Sequence, residues 1–226
     1  MTTRRRCSIY CIAIFWLLLI SANGCKKDGT PFSGEKVTDI DGNVYATVVI
    51  GTQVWMAEDL KVSKYNDGTD VPNITDKTAW QNCSTGACTW YNNEKDWGTL
   101  YNWYAVNTGK LAPAGWHVAT HDDWTTLTDY LGGETLAGGK LKETRCVRWN
   151  SPNTGATNES GFTARPGGFR GGDGIFSSFG GGGYWWSSTE FDTLNSWANY
   201  IFWNGSTIYR GHYYKSSGFS VRCVKD

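Results

Sequence analysis

Between Gly167 and Gly183, nine of seventeen residues are glycine. No helix or long regular strand is expected through such a density, because each glycine inside an element costs about 0.5–1 kcal/mol relative to alanine. The stretch contains neither a G-x-G-x-x-G nor a G-K-[ST] pattern, so it reads as tight turns and not as a phosphate cradle. Downstream, Ser196–Trp203 (SWANYIFW) and Ser206–Arg210 (STIYR) flank Asn204-Gly205. Asn-Gly supplies the two positive φ angles of a type I′ turn, so a hairpin is expected with Trp203 opposite Ser206 and Ile201 opposite Ile208. Phe219, Val221 and Cys223 then alternate with Ser220 and Arg222, a last strand with its apolar face inward. The C-terminal half is therefore β-structure and turns.

The N-terminal half is mixed. Val44–Ile50 and Gln53–Ala57, rich in β-branched and aromatic residues, form an expected hairpin around Gly51-Thr52. Residues 61–97 are polar and turn-rich, a long irregular region. Leu100, Trp103, Tyr104 and Asn107 fall at helical spacing before Gly109, which predicts a short aromatic-faced helix over Leu100–Val106. A second helix is expected after Thr120. Thr120 and Asp123 form a T-x-x-D capping-box variant, Trp124, Leu127, Tyr130 and Leu131 follow at helical spacing, and Asp122 and Asp123 suit the positive end of the dipole. His117 then lies outside the helix that His121 begins, so this H-x3-H does not share a helical face and no metal site is expected. His117 is expected to hydrogen-bond within the framework.

The chain has 226 residues, 40% of them hydrophobic, enough for one domain with a substantial core. Its first 24 residues read as a signal peptide: Arg4-Arg5-Arg6 precede the apolar run Ile9–Ile20, which is shorter than the ~20 residues needed to cross a bilayer. Ser21-Ala22-Asn23-Gly24-Cys25 resembles a bacterial lipobox, which implies acylation (palmitate and related chains) of Cys25 and a membrane partner reached through that lipid. Residues 25–37 read as a flexible linker and residues 38–226 as the domain, placed at the outer membrane or cell surface. Lys+Arg and Asp+Glu both total 21, and removing the three leader arginines leaves 18 against 21. That balance gives no reason to expect nucleic acid.

Four cysteines remain in an exported chain: Cys83, Cys88, Cys146 and Cys223. They predict two disulfides, and of the three pairings we favour Cys83 with Cys88 and Cys146 with Cys223. Zinc is disfavoured, since no CxxC pair or suitably spaced histidine accompanies them.

Seven blocks arrive in a distinctive order: VVIGTQVWMAEDLK (Val48–Lys61), GTLYNWYAV (Gly98–Val106), APAGWHVATHDDWTTLTDYLGG (Ala112–Gly133), GGKLK (Gly138–Lys142), NESGFTARPGGFR (Asn158–Arg170), GYWWSSTE (Gly183–Glu190) and GFSVRCVKD (Gly218–Asp226). Together they resemble the Fibrobacter succinogenes major paralogous domain, a family of lipoproteins and secreted proteins without an assigned biochemical role. WHVATHDDWTTL and GFSVRCV are also similar to blocks of formylglycine-generating-enzyme-like domains. That resemblance implies an α+β, C-type-lectin-like fold: two short helices, a small twisted antiparallel sheet and long irregular loops. Fold does not carry activity with it.

Chemistry is sparse. The triplets by which C-type lectins hold calcium have only acid-free counterparts here, Ser151-Pro152-Asn153 and Trp203-Asn204-Gly205, which argues against that mode. Ser187 and Ser188 have no histidine near them in sequence, and no catalytic constellation, cofactor or metal is implied. Tryptophan is abundant, and exposed indole faces stack on sugars and side chains. Trp185, Trp186, Trp203 and Asp173 are therefore the candidate ligand-binding residues, although strand alternation puts one of Trp185 and Trp186 in the core. The resulting expectation is a cell-envelope lipoprotein carrying a non-catalytic binding or adhesion module for a polysaccharide or an envelope protein. The alternative is an enzyme of formylglycine-generating-enzyme-like descent.

Overall fold

A computed structural model describes residues 32–95, 98–144 and 148–226. Among them are thirteen strands and four α-helices in the order β1 (Phe32–Thr38), β2 (Val44–Ile50), β3 (Gln53–Met56), α1 (Lys77–Gln81), β4 (Cys88–Trp90), β5 (Thr99–Asn102), α2 (Trp103–Val106), β6 (Trp116–Val118), α3 (His121–Tyr130), α4 (Glu134–Leu141), β7 (Phe169–Arg170), β8 (Phe176–Ser177), β9 (Gly182–Glu190), β10 (Asn195–Phe202), β11 (Ile208–Tyr214), β12 (Gly218–Phe219) and β13 (Cys223–Lys225). The fold is α+β with antiparallel sheets. It holds three sheets, ordered β1-β2-β3-β13-β6, β11-β10-β9 and β4-β5-β12-β7-β8, where one small sheet and two helices were expected. The two unforeseen helices are hidden in sequence: α1 spans five residues inside the irregular region, and α4 contains Gly138-Gly139.

The Thr120 helix start forms as expected. The Thr120 hydroxyl accepts from Asp123 N while the Asp123 carboxylate accepts from Thr120 N, a full capping box. Trp124 and Leu127 are buried, and Tyr130 lies on the outer face at 65% exposure. The β2–β3 hairpin also forms, with Ile50 opposite Gln53 and Gly51 at φ 62° supplying the bend. By contrast, the segment expected as one helix over Leu100–Val106 is divided. Leu100 pairs with Thr89 in the β4–β5 ladder, and the Asn102 side chain then accepts from Ala105 N to start α2. Pairing satisfies the backbone of Leu100 in a way its helical spacing could not reveal. Folded chain also begins earlier than Val37, because β1 starts at Phe32 and pairs with β2.

In the late hairpin Ile201 faces Ile208, as expected. The turn itself is not type I′, since neither Asn204 nor Gly205 has positive φ. Its ends are drawn apart by other partners: Trp203 N donates to Gly181 O, and Ser206 O accepts from Gly139 N on α4. The last strand is likewise broken into β12 and β13. Ser220 exchanges hydrogen bonds with Tyr184 and Trp186 of β9, and the intervening Arg222 is fully buried.

The buried residues fall into two hydrophobic clusters. One gathers Tyr45, Met56, Tyr101, Trp103, Trp186 and Phe219, and the other Trp55, Trp124, Phe162, Trp185, Ile201 and Ile208. β9 runs between them, paired to β10 on one side and bridged through Trp185 to Ser220 on the other. Four cations are buried among the described residues, Lys142, Arg170, Lys215 and Arg222, and three of them, all but Lys215, are 1% exposed or less and ringed by carbonyl oxygens. Lys142 donates to Thr154 O and Gly205 O at 2.8 Å each, Arg170 to Ile74 O at 2.6 Å and Thr75 O at 3.0 Å, and Arg222 to Met56 O at 2.9 Å.

Candidate functional site

Trp185 and Trp186 are both fully buried, so neither offers a face to a ligand. Alternation does send them to opposite sides of β9, but each side is a core. Trp185 Nε1 donates to Asp59 Oδ1 and Trp186 Nε1 to Tyr101 O, each at 2.8 Å. Trp203 is half-buried and packs on the edge of the second cluster. Asp173 is exposed and accepts from Ile175 N, closing its own turn. The structure does not bring these four into one site.

The cysteines depart from expectation too. Cys83, Cys88 and Cys223 are free thiols. Cys88 points from β4 into the core toward Val71 O, while Cys83 turns to Thr85 O at 3.1 Å, so the pair expected across CSTGAC is not formed. Cys146 and Cys25 lie outside the described residues, and with them the second disulfide and the lipid site.

His117 stands in a corner between the chain's end and α3. Its Nδ1 lies 2.8 Å from Asp226 Oδ1 and its Nε2 3.0 Å from Asp123 Oδ2. Burial pulls its pKa down, but the hydrogen bonds it donates to both carboxylates outweigh this and hold it above the usual histidine value. Both ring nitrogens are thereby engaged, and the corner is a brace rather than an open site.

Two other places can meet a ligand. The first is an aromatic face on the β9–β10–β11 sheet. Because Ile201 faces Ile208, Tyr200 lies directly opposite Tyr209, and β9 brings Tyr184 opposite Tyr200 on its other side. The three rings stack across the strands, with centroids 5.6 Å apart for Tyr184–Tyr200 and 5.4 Å for Tyr200–Tyr209. Phe202 and Tyr213 flank them, each 5.7 Å from a ring of the row. Tyr184 is buried, Tyr200, Phe202 and Tyr213 are half-buried, and Tyr209 is 42% exposed. A signal for this face was present in the sequence. The hairpin register that pairs Ile201 with Ile208 also pairs the neighbouring tyrosines.

The second is a pocket of about 280 Å³ lined by Asp59, Lys61, Arg148, Arg165, Pro166 and Phe179, with Lys95, Gly98 and Gly167 at its walls. Several of its charges have partners: Lys61 Nζ lies 2.9 Å from Glu58 Oε2, and Asp59 accepts from Trp185 and from Arg222. Burial would raise the Glu58 pKa, yet the Lys61 hydrogen bond and the nearby charges of Lys61 and Arg165 hold it below the usual carboxylate value. Behind the pocket, Glu143 Oε2 lies 3.9 Å from Arg148 Nη1 and 3.9 Å from Arg165 Nε. No local sequence pattern links these residues, which long-range packing alone assembles.

Residues 48–225 match the family model of the Fibrobacter succinogenes major domain. The chain belongs to this family. The match runs from Val48 within β2 to Lys225 at the end of β13, so the family unit takes in two sheets whole and the first sheet without β1 and the start of β2. Neither the curated proteins nor the solved structures gave a significant match.

Proposed function

We propose that this chain is a lipid-anchored cell-envelope lipoprotein whose domain is a non-catalytic binding or adhesion module for polysaccharide. One observation carries the reading: Tyr200, Phe202, Tyr209 and Tyr213 share one face of the β9–β11 sheet and are not covered completely. Stacked aromatic rings on a stiff sheet offer sugars flat apolar surface at low conformational cost, with tyrosine hydroxyls beside it as polar partners. The architecture is taken as a member of the C-type-lectin-like class. Supporting that assignment, the C-terminal strand β13 closes onto β3 and β6, so that the two ends of the domain share a sheet.

The test is retention of the detergent-purified full chain on immobilised envelope polysaccharides. Tyr209→Ala should weaken binding by about 2- to 10-fold, the value of one stacking contact of roughly 0.5–1.5 kcal/mol. No retention on any polysaccharide by a folded protein would end this reading. The anchor is tested separately by metabolic palmitate labelling, expected in the wild type and absent from Cys25→Ser.

A further inference from the structure

The pocket at Arg148 and Arg165 shares no residue with the aromatic face, and its chemistry is independent of that face. With Lys61 set against Glu58 and Asp59 against Arg222, the charged lining left among the described residues is Arg148, Arg165 and Lys95, with the carboxylate of Glu143 behind the two arginines. Glu143 is only 9% exposed, and at 3.9 Å from each arginine it attracts both without hydrogen-bonding to either contacting nitrogen. Arg165 Nε and Glu143 Oε2 are buried atoms with no hydrogen-bond partner. A buried donor left unmatched costs free energy that a bound acceptor recovers. Arg148, Arg165 and Lys95 against the one carboxylate of Glu143 leave surplus positive charge among the described residues, which an anionic ligand neutralises.

The remaining lining gives the anion a body. Phe179 and Pro166 present apolar surface, while Gly98 and Gly167 carry no side chains to fill the space. The volume of about 280 Å³ is near the lower end of small-molecule sites and accommodates one six-membered ring with its substituents. At the wall Lys95 sits over the Trp90 ring, 4.7 Å from its centroid, which places a further positive charge at the pocket.

We propose that this pocket binds the carboxylate of a ring-bearing organic acid of the uronic-acid class. The carboxylate accepts N–H groups from Arg148 and Arg165, whose planar forks match its two oxygens, and the ring lies against Phe179 and Pro166.

The experiment titrates the detergent-purified full chain with glucuronate, glucose and inorganic phosphate by calorimetry. Glucuronate is expected to bind saturably, and glucose at the same concentrations is not. Arg165→Gln and Arg148→Gln should each weaken glucuronate at least about tenfold, as loss of a charge-assisted donor pair does. Lys64→Gln, at an exposed lysine paired with Asp70, should leave the affinity unchanged. Thermal melts accompany each variant, and should Arg165→Gln fail to fold, the exposed Arg148 decides alone. The proposal is overturned if glucuronate behaves as glucose does, if the folded arginine variants keep wild-type affinity, or if phosphate binds more tightly than glucuronate.

Discussion

Arg222 donates its Nε to Asp59 Oδ1, and this pair fastens the C-terminal chain to the loop after β3 with Arg222 wholly out of solvent. The remaining guanidinium donors go to carbonyls, Met56 O at 2.9 Å, Phe162 O at 2.6 Å and Thr163 O at 3.2 Å, and the group lies 4.0 Å from the Phe162 ring centroid. Removing one partner of such a pair strands the other charge in a poorly solvated place. Arg222→Ala is therefore expected to cost about 3–5 kcal/mol. Urea unfolding with an unchanged slope and a lowered midpoint would register it; a loss under about 1 kcal/mol would show that the pair adds little beyond what an apolar side chain gives.

The His117 brace gives stability a pH dependence with a definite sign. Its folded pKa is raised by Asp226 and Asp123 above the unfolded value, so its contribution is fully present below about pH 6.5 and is lost as pH rises through the folded value. Asp123 works the other way. Burial would raise its pKa, but the hydrogen bonds from Thr120 and His117 lower it, so its contribution holds above about pH 4 and is lost in acid. Melting temperatures compared between pH 5.5 and 8.5 should fall in the wild type relative to His117→Asn. Parallel profiles for the two proteins would remove His117 as the source.

Which parts of this fold can be read from the sequence depends on how local their causes are. The capping box at Thr120 needs only Asp123, and the register of Ile201 with Ile208 needs only the alternation flanking Asn204-Gly205. The turn between those isoleucines departs from type I′ because α4, remote in sequence, claims Ser206 O. Trp185 and Trp186 read as one inner and one outer ring, since periodicity reports alternation but cannot report that both faces of β9 are covered. Tyr200 and Tyr209 are recoverable from the hairpin register. Arg148, Arg165 and Glu143 are not, because nothing local distinguishes an arginine that lines a pocket from one in solvent.

Gly138 and Gly139 reverse an ordinary rule. In an exposed helix interior, glycine to alanine stabilises by about 1 kcal/mol. Here a Cβ on Gly138 would stand 2.7 Å from Ser206 O and from the Thr207 backbone, and one on Gly139 would stand 2.4 Å from Gly155 O. Backbone atoms cannot swing aside as a side-chain tip can. Gly138→Ala and Gly139→Ala should each lower stability by about 1–3 kcal/mol, the usual cost of overpacking, and a raised melting temperature in either would show that α4 can move off the hairpin.

The thiols offer a direct test of chain packing around β4 and β13. Alkylation needs a thiolate that reagent can reach. Burial pushes the Cys88 thiol up to about 12, and burial also drives Cys223 far above the ordinary range despite the lowering by Arg222. Cys83 is only partly buried and faces the exposed loop that ends at Thr85. Iodoacetamide applied to the native protein at pH 8 should therefore label the peptide holding Cys83 and spare those holding Cys88 and Cys223, all three reacting once urea unfolds the chain. Recovery of a Cys83–Cys88 linked peptide without reductant would instead mean that Cys88 leaves its place against Val71 O, which would require β4 to rotate out of its ladder with β5.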